Sequence, residues 1–293
     1  MSRRLLLLAA LGVVVAVGCG ERSEPLGEVP QPYPVTVQGA GEQPTVVREP
    51  PRRIVALDAG SAGLLRALGV SARLVGVPAT VRAGRKAREV VDRAGQVDVE
   101  RVVRVRPDLI VATTAVDALD VSLAQRQSGA ALYVQPDASV DDLLRGALDL
   151  GFLLGEPVRA RRVAAAMRAQ VERVEARVAD EPLVTVFVDT GFFITIRERS
   201  LLGDLIRRAR GESVAGTAPG PEPFPVARLR RLDPDVYLAT SESRVTLASL
   251  RADRRTAGLT AVEEGRVAIV PADLVLRPGP RIGRALGRIA RAL

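Results

Sequence analysis

The chain contains no histidine and no tryptophan, and aromatic residues fill only 3% of its 293 positions. Each absence closes a class of chemistry. Without histidine there is no Ser-His-Asp or Cys-His catalysis, and imidazole metal ligands are excluded. The single cysteine, Cys19, permits no disulfide within the chain. With so few rings the cores must be built from aliphatic side chains, and an apolar content of 47% suffices for that. Lysine is almost missing as well: Lys86 stands alone, and the formal net charge of +8 is carried by arginine. Those arginines are interleaved with Asp and Glu through every expected helix, so no nucleic-acid partner is expected.

What is present is a repeat. Residues 99–113, from Val99 through Pro107-Asp108 to Thr113, return as residues 226–240, from Val226 through Pro234-Asp235 to Thr240. Seven of fifteen aligned positions are identical, and the apolar positions match. Each copy reads as a short amphipathic helix stopped before proline, then a buried strand ending at threonine. A separation of 127 residues is too long for a solenoid and suits two α/β lobes of similar plan facing each other across a cleft.

The N-terminus carries its own signal. Met1–Arg4 is basic, Leu5–Val17 is an apolar run too short to span a bilayer comfortably, and Gly18-Cys19 follows. This resembles a bacterial lipobox, which implies cleavage before Cys19 and a lipid attached to it. A plain secretory signal or an uncleaved anchor also fits; each predicts export. Residues 1–18 are therefore expected to be a signal peptide and the Pro-rich residues 19–32 a tether.

Beyond the tether, Tyr33–Val37 and Pro44–Val47 flank a Gly-rich turn and predict a hairpin. Strands are expected at Arg53–Leu57, Leu74–Val77, Ala131–Val134, Leu183–Phe187 and Gly265–Val270, with helices near Ala62–Leu68, Asp117–Gln127, Ser139–Leu154, Ser200–Ala209 and Pro280–Leu293. Alternation of this kind predicts parallel sheets. One helix stands out: Pro157 to about Ala179, with Val163, Met167, Val171, Val174 and Val178 at helical spacing, about 33 Å long. The expected divisions are an N-terminal lobe at 33–155, the connecting helix at 156–180 and a C-terminal lobe at 181–293.

Arg53–Leu57, Leu68-Gly69, Val75–Val77, Arg106–Ile110, Gly151–Gly155, Gly265-Arg266 and Arg277-Pro-Gly-Pro-Arg281 occur in this order. Together they resemble the class III substrate-binding proteins of ABC importers, in lipoprotein form, and the similarity runs from Tyr33 to Leu293. The resemblance implies an α/β fold of two Rossmann-like lobes joined by one long inter-lobe helix. It implies binding without catalysis, no cofactor, no resident metal, and a monomer at the outer face of the cell envelope or in the periplasm. Its partners would be an ABC permease, the permease's ATPase and a metal chelate: a ferric siderophore, cobalamin or haem.

Carried onto this chain, the ligand-binding positions are Asp58, Ser61, Arg82, Thr113, Thr114, Phe192, Phe193, Arg197, Arg199, Thr240, Ser241, Ser243 and Arg277. Guanidinium forks suit anionic oxygen donors, which favours a ferric siderophore. Each position also has a structural reading: Asp58 as the cap of a turn, Thr113 and Thr240 as strand ends, the phenylalanines as core. Permease docking in the family uses one acid per lobe. The positions fall near Leu119, flanked by Asp117 and Asp120, and near Ala227, where Glu222 is the nearest acid. An envelope scaffold or sensor with a degenerate cleft is the alternative function.

The anchor yields the first prediction. Cys19→Ser should release the protein from membranes or leave an uncleaved precursor, and palmitate labelling should disappear; labelling that persists contradicts the lipobox.

Overall fold

The computed structural model describes residues 32–82, 84–216, 222–277 and 279–293. Cys19 and the leader lie outside the described residues.

The chain opens with a hairpin, β1 (Val35–Val37) paired antiparallel with β2 (Thr45–Val47). Then β3 (Ile54–Ala56), α1 (Ala59–Ala67), β4 (Leu74–Pro78), β5 (Arg88–Val91), α2 (Val99–Arg104), β6 (Leu109–Thr113), α3 (Ala118–Ser128), β7 (Ala131–Gln135) and α4 (Val140–Leu154) build the first lobe. Its sheet is parallel throughout, in the order β5-β4-β3-β6-β7. After α5 (Pro157–Val178), the second lobe follows as β8 (Val184–Asp189), α6 (Leu201–Arg208), β9 (Gly211–Ser213), α7 (Val226–Leu232), β10 (Val236–Thr240), α8 (Leu247–Ala252), α9 (Thr260–Glu263), β11 (Val267–Val270), α10 (Ala272–Val275) and α11 (Ile282–Ala290). Its parallel sheet runs β11-β10-β8-β9. Two such sheets with one long helix between them are the two-lobe α/β fold that the repeat predicts.

The copies of the repeat occupy equivalent places, down to the backbone. Each is a short helix, α2 or α7, feeding an inner strand, β6 or β10. The residue before the proline is left-handed in both, with φ of 45° at Arg106 and 38° at Asp233. The aspartate after the proline clamps the neighbouring strand in both. Asp108 accepts the backbone N–H groups of Arg52 at 2.7 Å and Arg53 at 3.0 Å, at the entry to β3. Asp235 accepts from Thr185 twice, from N–H at 2.8 Å and Oγ1–H at 2.7 Å, in β8. These bonds, the side-chain one foremost, hold the Asp235 carboxyl below its ordinary pKa. The conserved element of the repeat is thus a register lock: a carboxylate satisfies donors that the adjacent strand leaves open at its first residues.

Helix α5 packs against α4 of the first lobe and α11 of the second, burying Ala160, Ala164, Met167, Val171 and Val174. A charged joint reinforces this seam. Asp204 on α6 is buried; it accepts the Val140 N–H at the start of α4 at 3.0 Å and Arg208 Nε–H at 2.9 Å, and it also meets Arg207. Arg208 reaches on to Glu175 of α5 at 2.7 Å and Asp141 of α4 at 2.9 Å. One guanidinium therefore ties α6 to both α5 and the first lobe.

Burial pushes the Asp204 carboxyl up, but the Val140 N–H and the arginines outweigh it and hold the pKa below the usual carboxylate value. A depressed acid stabilises the fold above the unfolded-state pKa, near 4, and that contribution fades as pH falls through the lower folded value. We expect Asp204→Ala to cost about 1.5–3 kcal/mol at neutral pH. Denaturant melts at pH 7 and pH 3 should show the gap between the two proteins narrowing in acid; a gap that widens there contradicts this account.

Candidate functional site

Parallel α/β sheets bind ligands beyond the carboxyl ends of their strands, where strand order reverses. In the first lobe that point lies between β3 and β6, and in the second between β8 and β10. An aspartate closes each. Asp58, just past β3, caps α1: Oδ1 accepts the Ser61 N–H at 2.8 Å, and Oδ2 accepts Ser61 Oγ–H at 2.6 Å and the Thr113 N–H at 3.0 Å. Asp189, ending β8, accepts the N–H groups of Gly191 at 2.8 Å and Phe193 at 3.2 Å, and Tyr237 Oη–H at 2.7 Å. Burial raises the Asp58 pKa, and the bonds from Ser61 and Thr113 oppose it. Burial, followed by the Asp189 charge, pushes the Tyr237 phenol up. Both carboxylates hold their switch points together, each accepting three hydrogen bonds from the protein.

A cleft of about 680 Å³ opens at these strand ends. Its first-lobe wall follows β3, β4, β5 and β6 and includes Pro78 and Val116; its second-lobe wall carries Glu242, after β10, and the segment from Asp273 to Arg281. The walls meet through glycine. Gly279 is left-handed (φ 50°), and a Cβ there would lie 2.6 Å from the Gly60 carbonyl oxygen, so no side chain fits where the second lobe crosses the start of α1.

The charge inside the cleft is uneven. Five arginines line it: Arg66, Arg82, Arg93, Arg277 and Arg281. Four acids do as well, yet each is engaged. Asp58 is used as above, and Asp92 accepts the Ala94 and Gln96 N–H groups at 2.8 and 2.9 Å. Glu242 pairs with Arg277 at 3.3 Å, and Asp273 contacts Arg281 at 3.5 Å. Arg66, Arg82 and Arg93 have no carboxylate partner among the described residues. No aromatic ring lines the cleft there either.

Of the residues expected from sequence, Asp58, Arg82 and Arg277 line this cleft. Ser61 and Thr240 are fully buried and Thr113 nearly so; their hydroxyls face the protein. Thr114 is exposed and donates to Asp137 at 2.5 Å. Ser241 Oγ accepts the Ala272 N–H at 3.0 Å, and Ser243 Oγ–H donates to the Thr240 carbonyl at 2.8 Å, so both shape the loop behind Glu242. Arg197 and Arg199 are exposed on the loop before α6 and do not line the cleft. Asp117 is the N-cap of α3, accepting from Leu119 and Asp120, which leaves Asp120 the freer acid beside exposed Leu119. Glu222 is exposed before α7.

Arg66, Arg93 and Arg281 went unforeseen. Arg281 stood at the end of the Arg277–Arg281 motif and could have been taken with it. Arg66 ends α1 and Arg93 follows β5, and neither shows a local signal. The phenylalanines divide. The tight turn between Thr190 and Ile194 forces φ to 52° at Phe192 and 62° at Phe193. Phe193 enters the core with the Arg255 guanidinium 4.9 Å from its ring centroid, and Phe192 is displayed, 88% exposed.

A model of the periplasmic binding protein family matches residues 54–274. The chain belongs to that family. Members bind solutes outside the cytoplasm and do no chemistry on them, as the motif order implied. Over its full length the chain is 22% identical to YvrC, an uncharacterized ABC transporter substrate-binding lipoprotein of Bacillus subtilis (strain 168), covering 98% of that protein. It is 26% identical over 275 residues to a cobalamin-binding protein of Halobacterium salinarum, covering 89% of this chain and 74% of the relative. The fold superposes on the periplasmic heme-binding protein RhuT from Roseiflexus sp. RS-1 with a TM-score of 0.71 at 21% identity, covering 82% of this chain and 97% of that one.

The two phenylalanines supply a prediction. Phe193→Ala should cost about 3–5 kcal/mol, as for other buried rings, whereas Phe192→Ala should stay within about 0.5 kcal/mol. Thermal unfolding of both variants checks this; equal losses would refute the assignment of one ring to the core and one to the surface.

Proposed function

We propose that the chain is a lipid-anchored, extracytoplasmic solute-binding protein that delivers an anionic metal chelate, foremost a ferric siderophore, to an ABC importer. One observation carries the choice of ligand: five arginines drawn from both lobes line the cleft, three of them without a carboxylate partner among the described residues. Guanidinium groups bind carboxylate and catecholate oxygens in bidentate fashion, and contacts from both walls give a chelate a reason to sit between lobes. Haem held through its iron needs an axial side chain such as His or Tyr, and the cleft lining includes neither among the described residues. Cobalamin is the second reading, favoured by the cobalamin-binding relative. Exposed Phe192 supports it too, since it follows Gly191, where an added Cβ would lie 3.8 Å from Ser243 Cα, next to Glu242 on the cleft rim. For docking onto the permease we propose Asp120 in the first lobe and Glu222 in the second.

Calorimetric titration of ferric citrate, a ferric catecholate, a ferric hydroxamate and cyanocobalamin tests the ligand. An anionic ferric chelate should bind most tightly, and Arg82→Ala and Arg277→Ala should each weaken it about tenfold or more. Tight cobalamin binding indifferent to both substitutions establishes the second reading instead.

A further inference from the structure

A second basic surface lies away from the cleft. The last turns of α5 and the length of α11 enclose a groove of about 780 Å³ whose walls carry Arg173, Arg177, Arg284, Arg288 and Arg291 and, among the described residues, no acid. The spacing is helical on both sides, i and i+4 on α5 and i, i+4 and i+7 on α11, so the guanidinium groups form two facing rows. All five arginines are exposed. The acid on this stretch of α5 nearest the seam, Glu175, is turned to Arg208 at 2.7 Å. Glycine brings the helices together: a Cβ on Gly283 would lie 2.4 Å from Gln170 Cβ. Between the rows the groove is apolar, with Val174, Pro271 and Leu274 in its walls. Ile269, 39% exposed, lies at its edge, where its carbonyl accepts from Arg288 at 3.2 Å.

We propose that this groove is a docking surface for the anionic phospholipid headgroups of the membrane. Facing guanidinium rows match phosphate oxygens, and the apolar strip with Ile269 suits the boundary between headgroups and acyl chains. A nucleic acid would ask for rings to stack on its bases, and the groove lining has none among the described residues. The proposal rests on the envelope location read above: a lipid on Cys19 would hold the protein beside the bilayer. Held to the surface by both lipid and groove, the protein would wait for ligand close to the plane of its importer.

The full-length protein is sedimented with vesicles of phosphatidylcholine alone or with one-third phosphatidylglycerol, at low and high salt. An acyl anchor partitions into both vesicle types alike, so the difference between them reports the groove. Binding to the neutral vesicles, compared with Cys19→Ser, reports the anchor separately. The expected result is a preference for anionic vesicles that salt erases and that the combined Arg177→Gln, Arg284→Gln, Arg288→Gln substitutions reduce by roughly a hundredfold. Removing three distant charges, Arg48, Arg85 and Arg104, should leave the preference nearly intact. Should the triple variant melt early, the pair Arg177→Gln and Arg284→Gln replaces it, since neither side chain hydrogen-bonds to the described body. A groove variant that keeps the wild-type preference, or a distant variant that loses as much, overturns the proposal. So does capture of a DNA duplex through the groove without any preference for anionic vesicles.

Discussion

The arrangement of the two lobes depends on a buried carboxylate. Asp204 holds the first N–H of α4 and the Arg208 guanidinium together, and Arg208 in turn holds Glu175 and Asp141. Helix α5 gives the lobes a shared hydrophobic seam, but apolar packing is non-directional, whereas these hydrogen bonds set position. With the Gly60–Gly279 contact, the joint fixes how far apart the cleft walls stand.

Within each lobe a second pair of aspartates does comparable work on a smaller scale. Asp108 and Asp235 lock the strand beside them, and Asp58 and Asp189 close the switch points. This explains why the repeat was the most legible part of the sequence: a proline preceded by a left-handed residue and followed by an acceptor is a local structure, and local structures leave local signals. Buried strands and capped helices were legible for the same reason. Edge strand β5, with exposed Arg88 and Glu89, and the six-residue α8 were missed because neither is long or regular enough to show a period.

The site was legible only in part. Polar residues expected at strand ends do lie near the switch points, but whether they face ligand or protein depends on partners far away in sequence. Thr113 and Thr240 turn inward, and Asp58 is consumed by Ser61 and Thr113. Conversely, Arg66 and Arg93 reach the cleft only because α1 and the end of β5 are placed beside the Asp273–Arg281 segment of the other lobe, far later in the chain. Long, flexible arginines reveal their destination through tertiary structure, not through spacing.

The proposed ligand reading rests on arginines gathered from two lobes, those of the first lobe without a carboxylate partner among the described residues and those of the second paired with Glu242 and Asp273. Amide hydrogen exchange with and without a saturating anionic ferric chelate tests that claim most directly. Protection should appear together on the first-lobe segments Ala59–Gly63 and Val91–Gly95 and on the second-lobe segment around Asp273–Arg281. Protection confined to one lobe, or absent from all three segments, would contradict a ligand held between them.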